Sequence, residues 1–138
     1  MFYNCTNLKS IIVDYYYRQN ISDMSYMFYN CISLTTINLE KFSTTNNIYI
    51  NLSYMFYNCY SLKTIKFNQA TRGISNMNNM FYNCTSLTTI NLEKFTTGNN
   101  FDLSYAFYNC YSLATINFQI SSNGLVNNMR YIFYNCSS

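Results

Sequence analysis

Apolar residues alternate with polar residues at one fixed place in each repeat of the chain. The last two apolar positions of every Leu-x-x-Ile-x-(Leu, Val or Phe) frame follow the period-2 pattern of a half-buried strand. The five frames begin at Leu8, Leu34, Leu62, Leu87 and Leu113. Parallel strands of successive repeats stack about 4.8 Å apart. The pattern therefore predicts one short strand per repeat, in a parallel sheet.

A second apolar pattern, with the spacing i, i+3, i+4, i+7, lies outside these frames and is typical of one helical face. It occurs five times, beginning at Met24, Leu52, Met77, Leu103 and Met129. An Asp or Asn precedes each set, and its side-chain oxygen can cap the first turn of a helix. An asparagine near the other end suits the left-handed residue that ends a helix. We therefore expect a capped helix of about two turns in each repeat, followed after the strand by a polar loop such as 43–47 or 96–100.

The tetrapeptide Phe-Tyr-Asn-Cys occurs six times, and its cysteines follow one another in steps of 26, 28, 25, 26 and 26 residues. A fixed period of this size is typical of a solenoid. We predict an α/β repeat solenoid, a leucine-rich-repeat arc with one short parallel strand (concave) and one short helix (convex) per rung of about 26 residues. Helices are wider than strands, so such a stack curves. The expected single domain, 1–138, has rungs at 2–27, 28–55, 56–80, 81–106 and 107–132, with a partial rung at 133–138.

The run from Phe28 to Phe42, followed by a polar loop and Leu52-Ser-Tyr-Met-Phe56, resembles the BspA-like leucine-rich repeat proteins. The resemblance covers every rung, although Ala70 and Ser121 replace the Phe that ends the frame elsewhere. It implies a bacterial or protozoan protein, secreted or on the cell surface, that binds host or neighbouring-cell proteins. An extracellular or cell-surface location is accordingly what the resemblance implies.

Charge and hydropathy exclude two kinds of partner. The net charge is only +3, and the eight basic residues are spread over all the repeats, whereas a nucleic-acid surface needs a dense basic stripe. The longest apolar runs are too short to span a bilayer. No secretory signal opens the chain, and both ends fall inside a repeat, so we expect a piece of a longer, capped protein.

Candidate catalytic groups are scarce. The chain has no His, so the Ser-His and Cys-His pairs of nucleophilic catalysis are excluded. Glu40 and Glu93 share one strand position two rungs apart, about 10 Å by strand stacking. That separation is near the roughly 6.5–9.5 Å of inverting glycosidases, but the repeat alone explains the pair. We predict no enzymatic activity and no cofactor.

The six cysteines occupy one position of the apolar pattern, a full rung apart. Without His or a CxxC pair, a metal site is not indicated. A disulfide framework is the alternative to free thiols, since the chain resembles secreted proteins. Parallel side chains on neighbouring rungs point the same way rather than at each other, so we predict buried, reduced thiols.

Two surfaces are candidates for partner binding. The first, on the predicted concave side, consists of the outward strand positions Thr36, Asn38, Glu40, Thr64, Lys66, Asn68, Thr89, Asn91, Glu93, Thr115, Asn117 and Gln119. Strand residues that face water are polar in any case, so this surface competes with a purely structural interpretation. The alternative, on the predicted convex side, consists of Tyr29, Tyr57, Tyr82 and Tyr108, a residue type that is favoured at interfaces. Mutual packing of these rings over the helices would equally explain them.

These observations favour a non-enzymatic protein-recognition or adhesion module of a cell-surface or secreted protein, whose partner is a host or neighbouring-cell surface protein. The runner-up is a structural spacer, or a solenoid segment that self-associates end to end through its uncapped ends. A carbohydrate-binding surface, built from aromatic and amide side chains, is a third alternative. A saturable partner that maps to the outward strand positions would favour recognition, whereas tolerance of scrambling there would favour the spacer.

Overall fold

The computed structural model of the chain describes residues 1–12, 21–40, 49–67, 73–93, 95–118 and 125–137. It is a solenoid of parallel strands in which each repeat of about 26 residues lies on the next. The nine strands are β1 (Ser10–Ile12), β2 (Thr36–Leu39), β3 (Ile50–Asn51), β4 (Thr64–Phe67), β5 (Ile74–Asn76), β6 (Thr89–Leu92), β7 (Thr97–Asp102), β8 (Thr115–Phe118) and β9 (Val126–Asn128).

The strands predicted from the leucine frames are confirmed and form what we call the strand face. It consists of a three-stranded sheet in the order β1-β2-β4 and a two-stranded sheet, β6-β8. The register is that of the repeat, with Ser10 opposite Thr36 and Thr36 opposite Thr64. Among the described residues, no ladder joins β4 to β6. There the rings of Phe67 and Phe95 meet edge to face, with centroids 5.0 Å apart.

A second parallel sheet, in the order β3-β5-β7-β9, lies where polar loops were expected. The predicted loop 96–100 falls largely within β7, while the predicted loop 43–47 lies outside the described residues. Each pairing in this sheet carries a register shift, for example between Ile50 and Asn51. Such irregularities accommodate residues inserted between repeats, which is how repeats of unequal length remain aligned.

The predicted helices are wrong. Within the described ranges the chain contains no helix, and residues 24–31 form successive turns. The N–H groups of Met27, Tyr29 and Cys31 each donate to the carbonyl three residues earlier. Tyr26 and Asn30 have φ of 56°, as the third position of a type II turn requires. These turns bring the same four apolar positions to the core, so the spacing i, i+3, i+4, i+7 does not distinguish them from a helix.

Each turn segment is held by the next repeat as well as by its own turn hydrogen bonds. The N–H groups of Met24 and Phe28 donate to the carbonyls of Asn51 and Met55, both at 2.9 Å. A helix satisfies its backbone internally, and one of only eight residues is marginal alone. Turns that hydrogen-bond to a neighbour satisfy the same groups while allowing the repeats to stack at strand spacing.

The residues predicted to cap helices have a different role. Asp23 accepts a hydrogen bond from the Ser25 N–H at 2.8 Å, and Asn51 accepts one from the Ser53 N–H at 3.0 Å. Bonds from residue i to the N–H of i+2 are Asx turns. The prediction of a left-handed asparagine is confirmed, since all six tetrapeptide asparagines have φ between 56° and 59°.

The argument for an arc no longer applies, because it depended on helices wider than strands. Both sheets and the turn segments repeat through the same parallel spacing, so the terms concave and convex give way here to strand face and turn face. The turn face is the outer side of the turn segments, 23–31 and their equivalents. Between the faces lies one strip of core, whose fully buried side chains include Phe28, Phe56, Phe81 and Leu62.

Candidate interaction surfaces

The outward strand positions lie in register and in contact with solvent. Thr36, Thr64, Thr89 and Thr115 are exposed, as are Lys66, Asn91 and Asn117 beside them. Two of the predicted positions, Asn68 and Gln119, lie outside the described residues. No backbone ladder joins β4 to β6, but the two strands still lie side by side, so the polar positions continue across this point. Among the described residues, the strand face is therefore one polar surface whose backbone hydrogen bonding is interrupted between β4 and β6.

Two of its asparagines already form hydrogen bonds within their own repeats. The Asn38 Oδ1 accepts from the Glu40 N–H at 2.8 Å, and the Asn38 Nδ2 donates to Glu40 Oε2 at 3.2 Å. The Asn91 Oδ1 accepts from the Glu93 N–H at 3.0 Å. These bonds give each asparagine a local role in ending its strand, independent of any partner.

The turn face carries tyrosines stacked in a column through every repeat. This first tyrosine column consists of Tyr3, Tyr29, Tyr57, Tyr82, Tyr108 and Tyr134. Successive ring centroids are 4.6 to 5.0 Å apart, and successive ring planes differ by 2° to 12°. The four tyrosines predicted as the alternative surface thus lie together, at its centre.

A second tyrosine column runs beside the first and consists of Tyr26, Tyr54, Tyr105 and Tyr131, with Asn79 at the middle position. Rings of the two columns meet within each repeat, as between Tyr54 and Tyr57 at 5.7 Å. The predicted interaction surfaces did not include these four tyrosines. The sequence signal for them is one repeat position that is Tyr in four repeats and Asn in one.

Stacking leaves only part of each ring available to a partner. Because each ring lies face to face with the next, the faces within the first column are covered, and the ring edges and hydroxyls remain accessible. Burial, and secondarily neighbouring tyrosines, raise the pKa of Tyr29, Tyr54 and Tyr57 above that of free tyrosine. The turn face therefore presents neutral phenol hydroxyls at physiological pH.

The second column has an unusual backbone. Tyr26, Tyr54, Tyr105 and Tyr131 have φ between 54° and 57°, a region that disfavours bulky side chains. Strain of this kind costs on the order of 1–3 kcal/mol per residue unless the surroundings offset it. Asn79 occupies the same position with φ of 55°, so a less strained residue fits there. The tyrosine side chains therefore make a contribution that offsets this strain and that asparagine cannot make, either through stacking or through binding a partner.

An amide ladder underlies the columns and holds the turn segments in register. The Asn58 Nδ2 donates to the Asn30 Oδ1 at 2.9 Å, and the Asn83 Nδ2 donates to the Asn58 Oδ1 at 2.8 Å. The series continues through Asn109 and Asn135. Each asparagine both donates and accepts, so identical side chains can bond indefinitely along the axis.

The cysteines support the fold rather than a reaction. All six are free thiols, and the four central ones are buried. The Cys84 Sγ donates to the Phe56 carbonyl at 3.2 Å, and the other repeats from Cys31 onward have the same bond. Burial raises the pKa of Cys59, Cys84 and Cys110, so the reactive thiolate is disfavoured. Among the described residues, no group of His, Cys, Asp or Glu side chains is arranged to hold a metal ion.

One comparison with known proteins is informative. A family model described as BspA type leucine rich repeat region (6 copies) matches residues 1–100. The resemblance inferred from the sequence is thereby confirmed. Comparison with curated proteins and with solved structures finds no significant match. In the part of the chain that the structure describes, no helix has the length and apolar character needed to cross a membrane.

Proposed function

Because the chain belongs to the BspA-type leucine-rich repeat family, we propose that it is a non-enzymatic recognition or adhesion module of a cell-surface or secreted protein. Its partner in this proposal is a protein on a host or neighbouring cell. The family supports protein interaction in general, and the finer statement depends on one observation. That observation is the tyrosines of the turn face, whose first column runs along the whole stack and whose second column lies beside it.

The tyrosine columns suit protein recognition for two physical reasons. Tyrosine combines apolar area with a hydrogen-bonding tip and is enriched where proteins meet. The stacked rings are also already ordered, since Tyr57, Tyr82 and Tyr108 hold one another at 4.6 and 4.7 Å. A partner therefore loses little affinity to the ordering of these side chains.

The same stacking argues against the carbohydrate alternative on the first column. Sugars bind aromatic side chains through the ring face, and here the faces are covered by neighbouring rings. What remains is a row of ring edges and hydroxyls, which suits a protein surface that brings backbone and side-chain hydrogen bonds. The spacer alternative predicts no saturable partner at all, and end-to-end association predicts assembly that grows with protein concentration.

The strand face is the second candidate for recognition, and a specific observation favours it. Lys66 is exposed and stands opposite Asn38, so it places a single positive charge in a column whose other members are Ile12 and three asparagines. The sequence-based prediction gave this face priority. Our proposal instead places the turn face first, because Asn38 and Asn91 already use their side chains in local hydrogen bonds.

The test compares one matched pair of variants against a panel of purified secreted and surface proteins, measured by biolayer interferometry. A triple variant, Tyr57→Phe, Tyr82→Phe and Tyr108→Phe, keeps the stacked rings and removes three hydroxyls. We expect it to weaken saturable binding about tenfold or more, while Lys66→Asn leaves binding unchanged. Thermal melting of each variant verifies that the fold is kept.

The opposite result assigns recognition to the strand face, because Lys66→Asn would then weaken binding and the triple variant would not. Binding that neither change affects would contradict both surfaces. Absence of any saturable partner, together with sedimentation that shows concentration-dependent filaments, would replace the proposal with end-to-end assembly.

A further inference from the structure

The second tyrosine column lacks one ring, at Asn79. The backbone there is the same as in the other repeats, since the Asn79 N–H donates to the Ser104 carbonyl at 3.0 Å. The N–H groups of Tyr54 and Tyr105 make the equivalent bonds to the following repeats, at 3.0 and 2.9 Å. Only the side chain differs, so the column is interrupted without any change in the path of the chain.

The side chain of Asn79 does not enter the column. Its Nδ2 donates to the Asn78 Oδ1 at 2.6 Å, and the Asn78 Nδ2 donates to the Ser104 Oγ at 2.6 Å. Asn79 is 9% exposed and forms the floor of the interruption. Tyr54 and Tyr105 are then two repeat spacings apart, about 9.6 Å at parallel-strand separation. That distance admits one planar ring at the ordinary stacking separation on both sides.

The two rings that border the interruption keep the orientation of their column. Tyr54 and Tyr105 meet the first column at 41° and 48°, close to the 46° of Tyr26. The 36° tilt between Tyr105 and Tyr131 arises at Tyr131, which meets the first column at 89° and lies against the Arg130 guanidinium. The side wall is intact, because Tyr82 stacks on Tyr57 and Tyr108 at 4.7 and 4.6 Å. The result is a slot with two aromatic walls, one aromatic side and a polar floor.

We propose that this slot, formed by Tyr54, Asn79, Tyr82 and Tyr105, binds one aromatic side chain of a partner protein. The proposal deepens the recognition function and rests on it. The chain itself indicates the occupant, because four other repeats fill the equivalent position with a tyrosine ring. Aromatic rings favour stacked or edge-to-face neighbours, and the slot offers both, whereas an aliphatic group would leave the ring faces poorly matched.

Charges of both signs lie near the walls of the slot. Asp102 contributes to the raised pKa of Tyr54, after burial and the neighbouring tyrosines. On the other side, the Arg130 carbonyl accepts from the Tyr105 N–H, and the Arg130 guanidinium lies 4.8 Å from the centroid of the Tyr131 ring. The choice of a neutral aromatic side chain therefore rests on the tyrosines that occupy the equivalent position in four other repeats, and not on charge.

The test uses N-acetyl-tryptophanamide as the probe. The chain contains no Trp, so indole fluorescence reports on the probe alone. We expect its anisotropy to rise saturably with protein concentration, in the millimolar range expected for a single ring. Asn79→Tyr refills the column, and tyrosine is already accepted at this backbone geometry in four repeats. We expect this variant to weaken probe binding at least tenfold.

Two further variants control for indirect effects. Asn79→Gly keeps the left-handed backbone and leaves the slot open, so probe binding should be retained. Tyr54→Asn removes one wall and uses a residue that Asn79 shows to be compatible, so binding should again fall at least tenfold. The Tyr54 variant also tests the slot if Asn79→Tyr fails to fold.

Equal probe binding by the wild type, Asn79→Tyr and Tyr54→Asn, or no saturable binding at all, would overturn the proposal. Tighter binding of adenosine monophosphate than of the probe would reassign the slot to nucleotides. The two proposals can fail separately. A protein partner that binds wild type and Asn79→Tyr equally would leave recognition intact and remove the slot. If the probe binds through the slot but no protein partner is found, the slot stands and the recognition function is removed.

Discussion

The turn segments and the strand face arise from the same repeat, but only the turn segments are joined in the same way through all six copies. The phenylalanine rings from Phe2 to Phe133 stack without a gap, at centroid distances of 5.3 to 5.7 Å. The tyrosines of the first column do the same beside them. In the strand face, by contrast, the backbone ladder is interrupted between β4 and β6, although the two strands lie side by side.

The difference lies in what each kind of ladder demands of the sequence. Strand ladders use backbone groups that every residue has, so Leu39 can lie opposite Phe67 without loss of pairing. A ring stack or an amide ladder needs the same side chain at every level. This explains why Phe-Tyr-Asn-Cys is identical in all six copies while the strand residues vary. It also implies that the two regions respond unequally to mutation.

The largest expected difference comes from removing one ring in each region. Phe81 is fully buried between Phe56 and Phe107, so Phe81→Ala should lower the free energy of unfolding by about 3–5 kcal/mol. Phe67 in the strand face is only half-buried, and Phe67→Ala should cost roughly half as much. Urea unfolding monitored by tyrosine fluorescence measures both. Equal losses would contradict the contrast between the two regions.

The amide ladder can be tested by changing one heavy atom rather than a whole ring. In Asn83→Asp the carboxylate can no longer donate to the Asn58 Oδ1, which lies 2.8 Å away, and two oxygens then face each other. We expect a loss of about 1–3 kcal/mol in the free energy of unfolding. Backbone strain would not explain this loss, because Asp also tolerates the left-handed region that Asn83 occupies, with φ of 59°.

The matched control for this change lies in the strand face. Asn91→Asp keeps an oxygen that can accept from the Glu93 N–H, and the side chain is exposed, so we expect less than about 0.5 kcal/mol. Chemical denaturation of both variants under identical conditions gives the comparison. A cost for Asn91→Asp as large as that for Asn83→Asp would show that the ladder is not the source of the loss.

The sequence predicted the repeat, the strands of the leucine frames and the inward-facing residues, because these depend on period and hydrophobicity alone. It did not predict the turn segments. A succession of turns buries the positions of Met24, Phe28 and Cys31 just as a helical face does. What decides between them is the hydrogen bonding of Phe28 to Met55 in the next repeat, a contact that no single repeat encodes.

Among the candidate surfaces, too, some could be predicted from the sequence and one could not. The outward strand positions and the first tyrosine column could be read from alternation and repetition. The proposed slot at Asn79 could not, because it depends on the Asn79 side chain bonding to Asn78 and on Tyr54 and Tyr105 keeping the orientation of their column on either side. The one available signal was a single Asn among tyrosines at the same repeat position.

Alkaline pH should weaken the turn segments through their thiols. Burial raises the pKa of Cys84 well above the ordinary 9.0, so this thiol stays protonated in the folded chain but ionises in the unfolded chain. The contribution of the buried thiols to the free energy of unfolding is therefore fully present below about pH 8.5. It falls as the pH rises, by up to about 1.4 kcal/mol per pH unit for each buried thiol.

The measurement compares wild type with Cys84→Ser at pH 8 and pH 10. The serine hydroxyl can still donate to the Phe56 carbonyl but does not ionise, and the tyrosines contribute equally to both proteins. Wild type should therefore lose up to about 2 kcal/mol more than the variant between the two pH values. Parallel losses would mean that Cys84 reaches water in the folded state.

The smallest effect is expected on the strand face, at Lys66. Its side chain is exposed and stands opposite Asn38 in the ladder between β2 and β4, whose bonds use the backbone alone. Lys66→Asn should therefore change the free energy of unfolding by less than about 0.5 kcal/mol, measured by urea denaturation. A gain above about 1 kcal/mol would mean that amides on this face bond between repeats as Asn58 and Asn83 do. Both regions would then be held by side-chain hydrogen bonds between repeats. The expectation that the strand face tolerates substitutions better than the turn segments would be wrong.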